Sequence, residues 1–254
     1  MEGFCPLASG SKGNALYFGT KKTKILIDAG LSGKIIEKKL NELQISIDEI
    51  QAILITHEHI DHIAGLKTLA IKKKIPILAN SATAKEILSF LGEYPKFKIF
   101  TTDERFIFGD IEILPFTVQH DAIDPVAFTL CSKGIKTGIC TDLGFPTSLV
   151  ANRLKKCDFL YIEANHEPSM VHACARPDLY KTRVLGRNGH LSNEACGQLL
   201  QTVFHDELKH IHLAHLSQEC NSPTVALKVI HEHIGKSVDI SVAPQDKLAT
   251  AVYF

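Results

Sequence analysis

The sequence has no run approaching the roughly 18 consecutive apolar residues that a membrane-spanning helix requires. Its start, Met1-Glu2-Gly3-Phe4-Cys5-Pro6, lacks the basic and then apolar order of a secretory signal. Both absences lead to the expectation of a soluble, cytoplasmic protein. No CxxC pair occurs among the seven cysteines at 5, 131, 140, 157, 174, 196 and 220, and an odd, scattered set argues for reduced thiols rather than a disulfide framework. There is also no internal repeat, no low-complexity stretch and no net charge, because Lys plus Arg equals Asp plus Glu at 28 each. No global field therefore attracts a polyanion, and nucleic acid could be held only by a local basic patch or by bound cations. The patches Lys21-Lys22-Thr23-Lys24 and Lys72-Lys73-Lys74 read first as solvated faces.

With 254 residues and 45% hydrophobic content, the chain is long enough for one domain over 1–254 with a substantial core. Short apolar runs alternate with amphipathic ones in the first third: a strand over 24–28, a helix over 32–43, a strand over 52–56, a helix over 62–73, a strand over 75–79 and a helix opened by Ser81. That alternation means an α/β fold. From 96 to 140 the pattern changes to successive strands, over 106–108, 111–118, 126–131 and 135–140, with Gly109-Asp110 and Lys133-Gly134 as hairpin signals. Helices over 146–155, 192–203 and 222–234 and strands over 158–162 and 210–214 complete the reading. The stretch 163–187 lacks clean periodicity and carries Arg176, Arg183 and Arg187, so it is expected to be an irregular, substrate-facing loop.

The densest chemistry is His57-Glu58-His59-Ile60-Asp61-His62, with four potential metal ligands in six positions directly after the β-branched run Ala52-Ile53-Leu54-Ile55-Thr56. Such a cluster at the C-terminal mouth of a buried strand outlines a dinuclear metal site. Two cations need further anionic and imidazole ligands from other strand ends. The sequence offers His120, Asp142 and His215, each at the C-terminal end of an apolar run, although any one of them alone would read as a cap or a hydrogen-bonded core group. Cys140 and Cys220 lie close by in sequence and read as buried structural thiols. Ser9-Gly10-Ser11-Lys12-Gly13-Asn14 reads as a tight turn at the site mouth; it lacks the spacing of a Walker-type phosphate loop.

The HxHxDH motif, followed in order by a His, an Asp and a final His, resembles the metallo-β-lactamase superfamily over essentially the whole chain. Ser9 to Asn14, Ile27-Asp28-Ala29-Gly30, Glu163-Ala164-Asn165-His166, Gly189-His190-Leu191-Ser192-Asn193-Glu194 and His215-Leu216-Ser217-Gln218-Glu219-Cys220-Asn221 resemble its YycJ/WalJ branch. The resemblance implies a four-layer αββα sandwich and a 5′-to-3′ exonuclease acting on DNA. It also implies that His57, His59 and His120 hold one metal and Asp61, His62 and His215 the other, with Asp142 bridging them. Zinc or manganese suits such ligands and iron is compatible; two such ions, roughly 3.5–4 Å apart, acidify a bridging water that attacks the phosphodiester. Asp61 is then a catalytic candidate that orients this nucleophile or takes its proton.

His190 precedes a helix start and is a candidate for leaving-group protonation or phosphate contact. Ser192 and Asn193 either line the substrate or only cap the helix. Asp28, Glu163 and His166 are expected behind the ligands or in the pocket wall. Alternatives remain open at this level: a small or cyclic nucleotide phosphodiester, an RNA end or a thioester as substrate, or a non-hydrolytic di-iron redox protein.

Overall fold

The computed structural model describes residues 1–254. In chain order the elements are β1 (Gly3–Ala8), β2 (Ala15–Gly19), β3 (Lys24–Ile27), α1 (Gly33–Glu42), β4 (Ala52–Leu54), α2 (Ile60–Ile63), β5 (Ile77–Asn80), α3 (Ser81–Leu91), β6 (Phe97–Phe100), β7 (Phe106–Phe108), β8 (Ile111–Thr117), β9 (Val126–Ser132), β10 (Ile135–Cys140), α4 (Ser148–Leu154), β11 (Phe159–Glu163), α5 (Pro168–Ala173), α6 (Asp178–Leu185), α7 (Asn193–Val203), β12 (His210–Ala214), α8 (Pro223–Ile234), β13 (Asp239–Val242) and β14 (Val252–Tyr253). They form two seven-stranded sheets, ordered β14-β1-β2-β3-β4-β5-β6 and β13-β12-β11-β10-β9-β8-β7. The chain divides into two compact units. The first comprises Met1–Pro115, Ala122–Val126 and Ala243–Phe254, and the second Phe116–Asp121 and Ala127–Val242.

In the first unit, β3, β4, β5 and β6 run parallel. The middle strands β4 and β5 are buried along their whole length, which is why they read as unbroken apolar runs rather than alternating ones. Their side chains join Leu7, Leu26, Ile36, Leu69 and Ile87 in one core. Caps set the helix starts: Ser32 accepts from Ile35 N at α1 and Asn80 accepts from Thr83 N at α3. The expected helix over 62–73 is broken. α2 ends at Ile63 and a π-helical turn follows over Lys67–Lys72. Gly65 explains the break: its N–H bonds Ala29 O at 2.7 Å, and a Cβ there would overlap the Leu31 carbonyl, so tertiary contact rather than helical pairing holds this backbone.

In the second unit, β10, β11, β12 and β13 are parallel, with Cys140 beside Ile162 and Glu163 beside Ala214. The C-terminal ends of β10, β11 and β12 therefore lie at one edge, where α/β sheets place ligands. Phe116, Leu160, Ile162, Leu200, Leu213 and Ile230 form the core. The β9–β10 turn has positive φ at both Lys133 (51°) and Gly134 (81°), as a two-residue type I′ hairpin demands.

The stretch 163–187 departs from the expected irregular loop: it contains α5 and α6. Each buries one apolar residue, Val171 and Val184, so neither shows the apolar stripe by which an amphipathic helix is recognised. Five further strands, β1, β2, β6, β13 and β14, were not expected, and no helix of the chain is long and apolar enough to cross a membrane.

Candidate metal centre

The first unit contributes the histidine-rich turn. Asp28 leaves β3 with φ of 60°, a left-handed conformation that non-glycine residues adopt at some cost. Its carboxylate is 3% exposed and accepts from Thr56 N (2.9 Å), Thr56 Oγ1 (2.9 Å) and His62 Nδ1 (2.8 Å). A proton on Nδ1 makes Nε2 the lone-pair nitrogen of His62, the arrangement found behind metal-binding imidazoles. Thr56 Oγ1 also reaches His57 Nδ1 at 3.0 Å, and His57 Nε2 lies 3.0 Å from His59 Nδ1.

Asn14 was not singled out as a site residue from sequence, yet it organises this turn. Its N–H donates to Asp61 O (2.8 Å), and its amide nitrogen lies 3.3 Å from Asp61 Oδ2 and 3.0 Å from His62 Nε2. Gly30 donates to Asn14 O at 2.8 Å, and a Cβ on Gly30 would overlap the Asp61 carbonyl, so glycine is required for this approach. The sequence signal was available in the pairing of the 9–14 turn with the Asp28-Ala29-Gly30 strand end, but only contact reveals it. Glu58 points elsewhere, accepting from Ile123 N at 2.8 Å.

The second unit gathers residues from four strand ends. Asp142 and His215 follow β10 and β12 with φ of 56° and 55°, again left-handed. Glu163, at the end of β11, is completely buried. One of its oxygens accepts from His190 Nδ1 (2.8 Å) and His215 Nδ1 (2.9 Å); the other accepts from Leu143 N (2.9 Å) and Leu191 N (3.2 Å). Burial alone would raise its pKa, but the His190 charge and these imidazole hydrogen bonds outweigh it and hold the carboxyl at about 2. His120 Nδ1 donates to Gly189 O at 3.0 Å, and His120 Nε2 lies 3.9 Å from Asp142 Oδ1. Burial lowers the His120 pKa and favours the neutral imidazole that a cation needs. Ligand atoms of Asp142, Glu163, His190 and His215 all lie within 4.8 Å of one another.

The other sequence candidates separate by geometry. Ser192 caps α7, accepting from Ala195 N at 3.1 Å. Asn193 is buried and exchanges amide hydrogen bonds with Asn221 at 3.1 and 2.9 Å, and Asn221 in turn holds the carbonyls of Ala164 and Asn165. These side chains brace the loop after β11. Asn165 donates to His215 O at 2.7 Å and thereby fixes the strained residue. His166 is 2% exposed, and burial pushes its pKa down to about 4. Cys140 and Cys220 are buried and stand outside the His and carboxylate groups that could hold an ion.

The donor set fits divalent cations by its chemistry. His62 and His215 each have Nδ1 on a carboxylate and His120 has Nδ1 on a backbone carbonyl, which presents Nε2 for ligation in all three. A model of the β-lactamase superfamily domain matches residues 23–213. The chain belongs to the metallo-β-lactamase superfamily. Within it, the chain is 39% identical to exodeoxyribonuclease YycJ of Bacillus anthracis over 88% of its own length and 85% of that protein. It is 36% identical to exodeoxyribonuclease WalJ of Streptococcus pneumoniae over 93% of its own length and 91% of that protein. These relatives place it in the YycJ/WalJ branch.

Among solved structures, the metallo-β-lactamase fold protein YhfI of Bacillus subtilis matches with a TM-score of 0.74 at 15% identity, covering 98% of this chain and 99% of that one. Human tRNase Z, short form, matches with a TM-score of 0.67 at 15% identity, covering 98% and 99%. Both likenesses show the fold alone. The α/β metallo-β-lactamase class expected from the sequence is therefore the class of this chain, a metal-dependent hydrolase.

Proposed function

We propose that this chain is a 5′-to-3′ DNA exonuclease that hydrolyses phosphodiesters with two divalent cations, zinc or manganese and alternatively iron. The carrying observation is that His62, His120 and His215 all direct Nδ1 into carboxylate or carbonyl acceptors, which leaves Nε2 as the ligating nitrogen. The exodeoxyribonuclease names of relatives that match most of the chain support DNA as the substrate. In this reading 1–254 acts as one hydrolase domain in the cytoplasm. By the family resemblance, His57, His59 and His120 would hold one cation, Asp61, His62 and His215 would hold the other, and Asp142 would serve both.

When bound, the cations acidify a water and neutralise charge on the phosphate oxygens. The chain's residues supply the rest. Asp61, steadied by Asn14, accepts the proton of the attacking water. Asp28 and Glu163 keep the imidazoles in the ligating tautomer. His190, held through Nδ1 by Glu163, turns Nε2 to the leaving oxygen and donates its proton there.

The test is to load the purified protein with Mn²⁺ or Zn²⁺ and offer duplex DNA labelled at either end, single-stranded DNA, RNA and bis-p-nitrophenyl phosphate. Mononucleotides released progressively from the 5′ end of DNA are expected. Cleavage of RNA or cyclic nucleotides with DNA untouched would overturn the substrate assignment, and release from the 3′ end would overturn the polarity.

A further inference from the structure

The irregular-looking stretch with its three arginines is not used by the chemistry above, and part of it lines an open cleft. Asp121, Arg183, Gly186, Arg187, Asn188 and Gly189 line a space of about 290 Å³, near the roughly 300 Å³ lower bound of ligand-sized clefts. The cavity adjoins the reacting groups directly: Gly189 O holds His120 Nδ1 at 3.0 Å, and the next residue, His190, bonds Glu163. Its wall is fixed. Gly144 N donates to Gln119 O at 2.8 Å, and a Cβ on Gly144 would overlap the backbone of Arg187 and Gly189, so the two loops pack main chain on main chain.

The two arginines are held differently. Arg183 Nε donates to Asp121 Oδ2 at 2.6 Å, which orients the guanidinium and leaves its terminal N–H groups for an anion. The Arg187 guanidinium sits over the Phe145 ring, 4.4 Å from its centroid, and Phe145 is 40% exposed. A guanidinium stacked on an aromatic offers a second planar face, the platform on which proteins stack unpaired bases. One charged corner and one flat face in a space of this size match a single nucleotide, not a base pair.

We propose that this cavity binds one unpaired nucleotide of the DNA strand next to the scissile bond, with its phosphate on Arg183 and its base on the Arg187–Phe145 stack. The inference rests on the exonuclease reading and sharpens it: the strand end must be single or frayed to enter. Asp121 fits this role as the group that orients the Arg183 guanidinium.

The test measures anisotropy of a short fluorescent phosphorothioate single strand, and of the blunt duplex of the same sequence, on metal-free protein over a range of salt. The wild type is expected to prefer the single strand by about tenfold or more. Arg183→Gln should weaken binding about tenfold and reduce the salt slope by about one counterion. Arg187→Ala should weaken it about tenfold with Arg187→Lys restoring little, because lysine keeps the charge and loses the plane. Equal affinity for both DNAs, an Arg187→Lys protein equal to wild type, or an unchanged salt slope in Arg183→Gln would each overturn the proposal. Far-ultraviolet circular dichroism and a melting temperature equal to wild type verify that the variants are folded. Wild-type protein that cleaves DNA while the variants bind normally sinks the cavity assignment and spares the exonuclease reading. Protein that binds single strands through these arginines but cleaves none does the reverse.

Discussion

The two clusters of candidate ligands, one in each unit, are built by opposite means. In the histidine-rich turn, His57, His59, Asp61 and His62 come from six consecutive positions, and short-range geometry suffices to cluster them. In the second unit, Asp142, Glu163 and His215 come from the ends of three parallel strands whose shared edge gathers them, and His120 joins them from the loop after β8. The first cluster is specified by sequence spacing, the second by sheet register. A local cluster tolerates loss of a neighbour; an assembled one depends on a hub, and Glu163 with its four donors is that hub.

The largest break of this contrast is expected from Asp142→Ala. It should lower phosphodiester hydrolysis by more than about 10³-fold, as removal of a group central to charge stabilisation does, and lower metal content measured by mass spectrometry. Full metal content and full activity would show that Asp142 does not serve the cations.

Next comes Glu163→Ala, which leaves two imidazoles and two amide N–H groups facing a buried void. Stability to urea should fall by about 3–5 kcal/mol, whereas Glu163→Gln should retain most of it. Asp28→Asn is the matching change in the local cluster. It should reduce metal affinity by about 10–100-fold in a chelator competition while the melting temperature stays close to wild type; equal damage to stability from the Asp28 and Glu163 changes would erase the contrast.

A smaller effect concerns His166 in the metal-free protein. Its folded pKa, about 4, lies below the ordinary value of 6.5. Between those values the unfolded chain binds the extra proton, so stability rises with pH across the window and is lost as pH falls from 6.5 through 4. The full difference is about 3 kcal/mol, and His166→Asn should flatten the stability profile there, measured by denaturation at a series of pH values. The smallest effect is on thiol chemistry. Cys157, pushed up to about 12 by burial, and Cys140 and Cys196, also raised by burial, should resist iodoacetamide, while the half-buried Cys131 and Cys174 are modified first.

The same contrast explains what could be read from the chain. The turn at 57–62 and the Lys133-Gly134 hairpin are legible because each is local: ligand spacing in one, backbone signs of φ in the other. The strand-end positions of His120, Asp142 and His215 are visible as a pattern, but the family resemblance was needed to assign them to a shared centre. Asn14, Thr56 and Asn165 escaped notice because an amide or hydroxyl carries no mark of the imidazole it will meet. Among elements, α5 and α6 were missed for want of a buried stripe. β1 carries Pro6 and is buried at every position, so it shows neither alternation nor a clear propensity.

The left-handed backbone at Asp28, Asp142 and His215 is one that β-branched side chains adopt only under strain, so at these three positions a valine would damage the folded chain itself and not only its chemistry.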